Sequence, residues 1–307
     1  MKPLNLLAAT LALGMAAAAP AQAACDRTCL NNVANSYLTA LAARSPRSMP
    51  QAANVRFTEN GQTLKLGDAL WATAQGLGDY RMIVPDPAKE EVGLFAVVQE
   101  AGQPALLAAR LKAHDGKISE IETVVSRKDP GGMGKPENAH VRPAFVTPLA
   151  PGHAVPRAQM IAAANSYFEG LAHATDRLTP FDPSCMRIEN GVQTTGTSTM
   201  GKGIPEMGCK DQFATGFSKF ITDFRERRYL VDEKTGVVMA MLFFDHAGTV
   251  PEVRLADGSI MKVPPPFNRP FTFQIFELFK IDSGRIHEVE AILNTVPYGM
   301  PSGWAAD

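Results

Sequence analysis

After its first two dozen residues the sequence has no apolar run near the ~20 residues that a membrane helix needs, so no stable membrane anchor is expected. It lacks a surplus of charge as well. Thirty Lys and Arg stand against 31 Asp and Glu, a balance that gives no electrostatic footprint for nucleic acid or an anionic surface. No His-Glu-x-x-His, no calcium-loop spacing of Asp and Asn and no paired histidines occur, so no metal is expected. A Gly-x-Ser-x-Gly elbow and a phosphate-cradling glycine loop are also missing. Gly131-Gly132-Met133-Gly134-Lys135 has no strand before it and reads as flexible linker. No cofactor is expected.

What the chain does have begins with an address. Lys2 is the only charge before Asp26, Leu4 to Ala19 is mostly apolar, and Ala21-Gln22-Ala23 precedes Ala24 as a small-residue cleavage pattern. That order reads as a signal peptide over residues 1–24 and predicts a periplasmic or secreted protein. Gln22 sits where a lipid-attachment signal wants an aliphatic residue, which argues against a lipid on Cys25. Cys25, Cys29, Cys185 and Cys209 then lie where disulfides persist. Three pairings are open: Cys185 with Cys209 would staple a Gly/Thr-rich loop, and Cys25 with Cys29 would tie down the mature start.

The chain also repeats itself. Val33-Ala34-Asn35-Ser36-Tyr37-Leu38 returns as Ala163-Ala164-Asn165-Ser166-Tyr167-Phe168. Each lies on an apolar stripe at helical period: Leu30, Val33, Ala34, Tyr37, Leu38 and Leu41, then Met160, Ile161, Ala164, Tyr167, Phe168 and Leu171. Glu59-Asn60-Gly61 matches Glu189-Asn190-Gly191. Gly67 to Trp71 and Cys209 to Phe213 each open a helical stretch, the second carrying Phe213, Phe217, Phe220, Ile221 and Phe224 on one side. Val92–Gln99 and Val237–Phe244 read as strands buried on both faces. Hairpins close both copies, turning at Asp115-Gly116 and Ser283-Gly284. The order predicts one α+β unit over residues 25–127, a Pro/Gly-rich linker over 128–157 and a second unit over 158–307. The second copy has a longer loop, Thr194 to Gly208, and an arm, Thr249 to Pro270, that ends in prolines. Long loops in compact domains are often functional, which directs attention to the second copy.

The Glu-Asn-Gly strand and the closing Gly116-Lys117-Ile118 and Gly284-Arg285-Ile286 strands resemble the SnoaL-like, nuclear transport factor 2-like domains. Together with the Cys25-Asp26-Arg27 start, Phe243-Phe244-Asp245-His246 and Pro297-Tyr298-Gly299-Met300, the chain is similar to an exported tandem family of bacteria and fungi of unknown function. The resemblance implies two tandem cone-shaped α+β barrels, helices against a curved antiparallel sheet, with an apolar pocket at each open end. Relatives of that type include cofactor-free isomerases, dehydratases, cyclases and epoxide hydrolases, and others that only bind or assemble. Fold alone does not choose among them.

Proton transfer in such a pocket needs a group whose pKa burial or a neighbour has moved toward neutrality. His246 ends the most apolar strand and Glu277 sits among Phe273, Ile275, Phe276 and Phe279, so these two are the candidate catalytic residues. A turn histidine at the surface and a carboxylate facing water are the plain rivals. Glu277 aligns near Ala109, so the repeat does not need it for folding. Candidate substrate contacts are Glu189, Asn190, Glu290, Arg269 and Tyr298. Glu189 and Asn190 recur in the first copy, which also fits a turn-forming role.

The expected function is a cofactor-independent lyase, dehydratase or isomerase acting on a small, partly apolar or aromatic molecule in the second unit. The alternative is a non-catalytic periplasmic binding or assembly module. Expected partners are a small-molecule ligand and, through sheet faces, further copies of the chain.

Overall fold

The computed structural model describes residues 25–128 and 134–304. The expected signal peptide and Gly131 to Met133 lie outside the described residues.

The first half runs α1 (Arg27–Ala42), β1 (Gln51–Glu59), β2 (Gln62–Leu64), α2 (Leu70–Thr73), β3 (Ala74–Asp86), β4 (Glu91–Glu100), β5 (Gln103–His114) and β6 (Lys117–Arg127). A short α3 (Pro143–Val146) stands in the connection. The second half runs α4 (Arg157–Ala172), β7 (Phe181–Glu189), β8 (Val192–Gln193), α5 (Cys209–Ala214), β9 (Asp223–Asp232), β10 (Val237–His246), β11 (Glu252–Arg254), β12 (Ile260–Lys262), β13 (Phe271–Asp282) and β14 (Arg285–Val296). Strands β11 and β12 form a separate hairpin within the arm.

Each half builds a six-stranded sheet of the same order, β2-β1-β6-β5-β4-β3 and β8-β7-β14-β13-β10-β9. One pair in each sheet is parallel, β1 with β6 and β7 with β14. Helix α1 starts where the Asp26 carboxylate accepts from the Cys29 amide, a side-chain cap for an otherwise orphaned donor. Its apolar stripe, with Leu30, Tyr37 and Leu41, is buried against the first sheet. Helix α4 does the same for the second sheet with Met160, Tyr167 and Leu171.

The apolar runs make sense once the two sheets are seen together. In β10, Val238, Ala240, Leu242 and Phe244 face α4, while Met239 and Met241 face the other half. In β4, Leu94, Ala96 and Val98 face α1, while Phe95 and Val97 face the other half. Successive side chains alternate across a strand, so a strand lying between two cores carries no polar face. The face of each sheet turned away from its helix is thus covered by the other sheet, within one chain.

The helical stretches after the first strands are far shorter than the phenylalanine spacing suggests. Helix α5 ends at Ala214, Gly216 takes a left-handed conformation with φ of 72°, and a 3-10 turn follows over Phe217–Phe220. Phe224 already belongs to β9. A left-handed glycine is a usual helix stop, and the aromatic periodicity hid it.

Two disulfides form, Cys25 with Cys29 four residues on and Cys185 with Cys209 across 24 residues. Disulfides persist in oxidising compartments and suggest a secreted or extracellular protein. No helix among the described residues is long and apolar enough to cross a membrane. Overall this is an α+β protein of two similar halves.

Candidate functional site

Between α4, the second sheet and the two loops peculiar to the second half lies a cavity of about 400 Å³, within the range of small-molecule sites. The sheet contributes Phe244, His246, Phe273, Ile275 and Glu277. Met200, Ile204 and Pro205 come from the long loop, and Met261, Pro264, Pro266 and Phe267 from the arm. The two insertions are walls of the cavity.

Its polar end is built around Arg187, on β7. The side chain is buried, at 6% exposure, so every donor it carries needs a partner. Nε donates to Thr194 Oγ1 at 2.9 Å, Nη1 to the Tyr167 hydroxyl at 3.2 Å, and Nη2 to Gln212 Oε1 at 2.8 Å. Glu189 Oε1 lies 3.1 Å from Nε and neutralises the charge. Glu277 completes the group. Burial, and then the neighbouring Glu189, push its carboxyl up to about 8, while Arg187 and a hydrogen bond from Tyr167 pull the other way. Its Oε2 has no hydrogen-bond partner. Near neutral pH this carboxyl holds its proton.

The other end is aromatic. His246 pairs with Phe271 across β10 and β13, and its ring stacks on that of Phe271 with centroids 4.3 Å apart. Phe273, Phe267 and Phe220 surround it at 5.2, 5.7 and 5.8 Å. Burial pushes its pKa down to about 4, so the imidazole is neutral at ordinary pH. From Phe271 to Glu277 is six residues of β13, about 20 Å of strand. His246 and Glu277 therefore lie at opposite ends of one cavity.

Strand register shows how the second half came to hold this cluster. Counting forward from the two hairpin turns, Val289 corresponds to Ile121 and Ala291 to Thr123. Val289 pairs with Arg187, whereas Ile121 pairs with Phe57. Ala291 pairs with Glu277, whereas Thr123 pairs with Ala109. On the short helices, Gln212 precedes Phe213 as Leu70 precedes Trp71. Where the first half buries Phe57, Leu70 and Ala109 in its core, the second half buries Arg187, Gln212 and Glu277.

The remaining expected contacts divide. Glu189 lines the cavity. Asn190 does not reach it: its amide is used twice by Leu293, donating to the carbonyl and accepting from the amide, both at 3.0 Å. Asn60 clamps Val125 in the same manner, and both asparagines have positive φ, so the repeated Asn-Gly is a turn device. Glu290 faces away from the cavity, into the junction of the halves, where the Tyr80 hydroxyl donates to it at 2.6 Å. Burial raises its pKa to about 6. Arg269 is exposed, with its guanidinium over the outer face of Phe271. Tyr298 is 49% exposed and does not line the cavity. Alternation along β14 explains Glu290, since neighbours of a cavity-facing Ala291 must point the other way.

Sequence reasoning missed Arg187, Gln212 and Thr194, and read Tyr167 as core alone. The usable signal was the mismatch between copies, Phe57 against Arg187 and Leu70 against Gln212. It drew attention to Glu277 but not to these. Among the described residues no three His, Cys, Asp or Glu side chains gather as a metal site.

Residues 153–293 match the family described as a domain of unknown function (DUF8021), a span that includes every residue lining the cavity. A solved structure similar to this chain is that of AusH from Aspergillus nidulans, at 12% identity over 45% of this chain and 86% of that one, with a TM-score of 0.27. No curated protein matches.

Proposed function

We propose that the second half is a cofactor-independent lyase, dehydratase or isomerase that works by proton transfer at Glu277 on a small, partly apolar molecule. The observation that carries this reading is the Glu277 carboxyl, buried, lacking a partner at Oε2, and held protonated near neutrality. A group whose pKa lies close to the working pH is the best placed to give and recover a proton. On giving it, Glu277 becomes an anion beside the Arg187 guanidinium and the Tyr167 hydroxyl, which favour that form. Glu189 offsets the charge of Arg187 while Glu277 is neutral.

His246 takes a different part from the one its position in the sequence suggested. With a pKa near 4 and four phenyl rings around it, it serves as a neutral wall of the cavity. The same reading takes each half as a SnoaL-like cone, with the opening of the second roofed by the arm. A second reading, a binding module without chemistry, is favoured by the apolar walls alone.

The two are separated by a ligand screen followed by assay of Glu277→Gln. On the catalytic reading the amide, whose N–H protons are too weakly acidic to transfer, binds within a few-fold of the native protein and loses turnover. If native protein binds a ligand and leaves it unchanged over long incubation, the binding module is the better account.

A further inference from the structure

The charges that line the cavity are already committed to one another. Its titratable side chains, apart from Tyr167, are Arg187, Glu189 and Glu277 at one end and, at the other, the neutral His246, whose Nδ1 has no partner. Arg187 is occupied by Thr194, Tyr167, Gln212 and Glu189. A ligand carboxylate would have to displace Glu189 or Gln212 to reach it. An ammonium would need Glu277 ionised and would then lie close to the Arg187 charge. Both ions would also shed water against apolar walls, a penalty that an unpaired buried charge does not recover. One lining group at this end keeps an unused hydrogen-bonding atom, Glu277 Oε2. At the other end the rings of Phe220, Phe267 and Phe273 offer faces and edges that suit a flat apolar body.

We infer that the occupant of this cavity is an uncharged, elongated molecule, with an aromatic or similarly flat body against the rings at the mouth and one hydrogen-bonding oxygen carried down to Glu277. This rests on the reading of the cavity as a ligand site. About 20 Å of strand separates the row of His246 from that of Glu277, so a single small ring does not reach both.

Three probes of equal length test the charge preference: 4-(biphenyl-4-yl)butan-2-one, 3-(biphenyl-4-yl)propanoate and 3-(biphenyl-4-yl)propan-1-amine. Each is titrated calorimetrically into the mature chain, into Glu277→Gln and into Phe267→Ala, at about pH 6.5, where a carboxyl with a strongly raised pKa is neutral. The ketone is expected to bind about tenfold or more tightly than either ion, a difference of about 1.4 kcal/mol or more. Phe267→Ala should weaken it several-fold. Glu277→Gln should keep the order of the three probes, because an amide is uncharged and still offers a hydrogen bond. A carboxylate or amine that binds as well as the ketone overturns the inference, and so does failure of all three to bind. Proton transfer is not read in this assay. Selectivity that holds in Glu277→Gln would therefore support the ligand class whether or not the native protein turns a ligand over, so the two readings fail separately.

Discussion

Arg27, the first residue of α1, sets both arms of its guanidinium on the carboxylate of Asp232 at the end of β9, in the opposite half of the chain; Nη2 to Oδ2 is 2.8 Å. Arg157, the first residue of α4, returns the contact on Asp86 at the end of β3. Each helix is thereby tied to the other half's sheet, the reciprocal pattern of a two-fold interface. Both aspartates are buried, at 1% and 0% side-chain exposure.

Removing one partner of a buried pair leaves the other charge uncompensated, which costs about 3–5 kcal/mol. Arg27 is itself 32% exposed, and Thr235 continues to donate to Asp232. Arg27→Ala should therefore destabilise by about 3 kcal/mol, at the lower end of that range. Arg27→Met with Asp232→Leu should cost less than the single change. Urea denaturation measures both, and a single variant within about 0.5 kcal/mol of the native protein would refute the interface role.

Stability should fall as pH rises because of Glu277. Its folded pKa of about 8 lies above the ordinary value of 4.5. A raised carboxyl contributes its full stabilisation below the unfolded value and loses it as pH climbs through the folded one. The loss spans about pH 4.5 to 8 and amounts to about 5 kcal/mol in order of magnitude. Glu277→Gln should match the native protein near the bottom of that window and exceed it near the top. Parallel native and variant curves would show that Glu277 titrates normally.

His246 bends the curve the other way. Its folded pKa of about 4 lies below the ordinary value of 6.5, so its stabilisation is present above 6.5 and is lost as pH falls toward 4. Between about 4.5 and 6.5 the two slopes oppose each other, and the native protein should change little there. His246→Phe removes the acid-side loss and keeps an aromatic ring against Phe271. Thermal melts from acid to neutral pH should show it gaining on the native protein as pH drops. An unchanged difference would mean that the histidine is open to water.

Gln212 joins the long loop to Arg187. Its Nε2 donates to the carbonyls of Thr194 and Ile204 at 2.6 and 2.8 Å, while Oε1 accepts from Arg187. Gln212→Leu, which restores the residue type of Leu70, should cost about 2–4 kcal/mol through unsatisfied partners. It should also speed tryptic cleavage at the exposed Lys202 and weaken ligand binding. Gln212→Glu keeps an acceptor for Arg187 but cannot donate to the loop, so it should speed cleavage at Lys202 and spare affinity. Equal behaviour of the two variants would show that the loop and Arg187 contacts of Gln212 do not act separately.

Much of the frame could be read from periodicity. The stripe around Tyr37 and Tyr167, the two buried strand runs and the Asp-Gly and Ser-Gly turns are local patterns, and local patterns set helices, strands and hairpins. The site was less legible because its geometry is not local. Arg187 and Glu277 are 90 residues apart in number and meet only because β7 and β13 flank β14. Asn190 misled for a related reason. Its repetition marked a turn, and a turn beside a pocket looks the same in sequence as a pocket residue. Arg27 and Arg157 gave no signal at all, since each finds its carboxylate only after two separate sheets have come together.

The cover that each sheet gives the other also bears on how the chain can change. In a homodimer made from one gene, a charge placed in the core falls in both subunits, and both must absorb the cost. Here the two partners are separate stretches of one polypeptide. A polar change tolerated at Arg187 leaves Phe57 untouched, so one side can take buried charge into its core while its twin stays apolar.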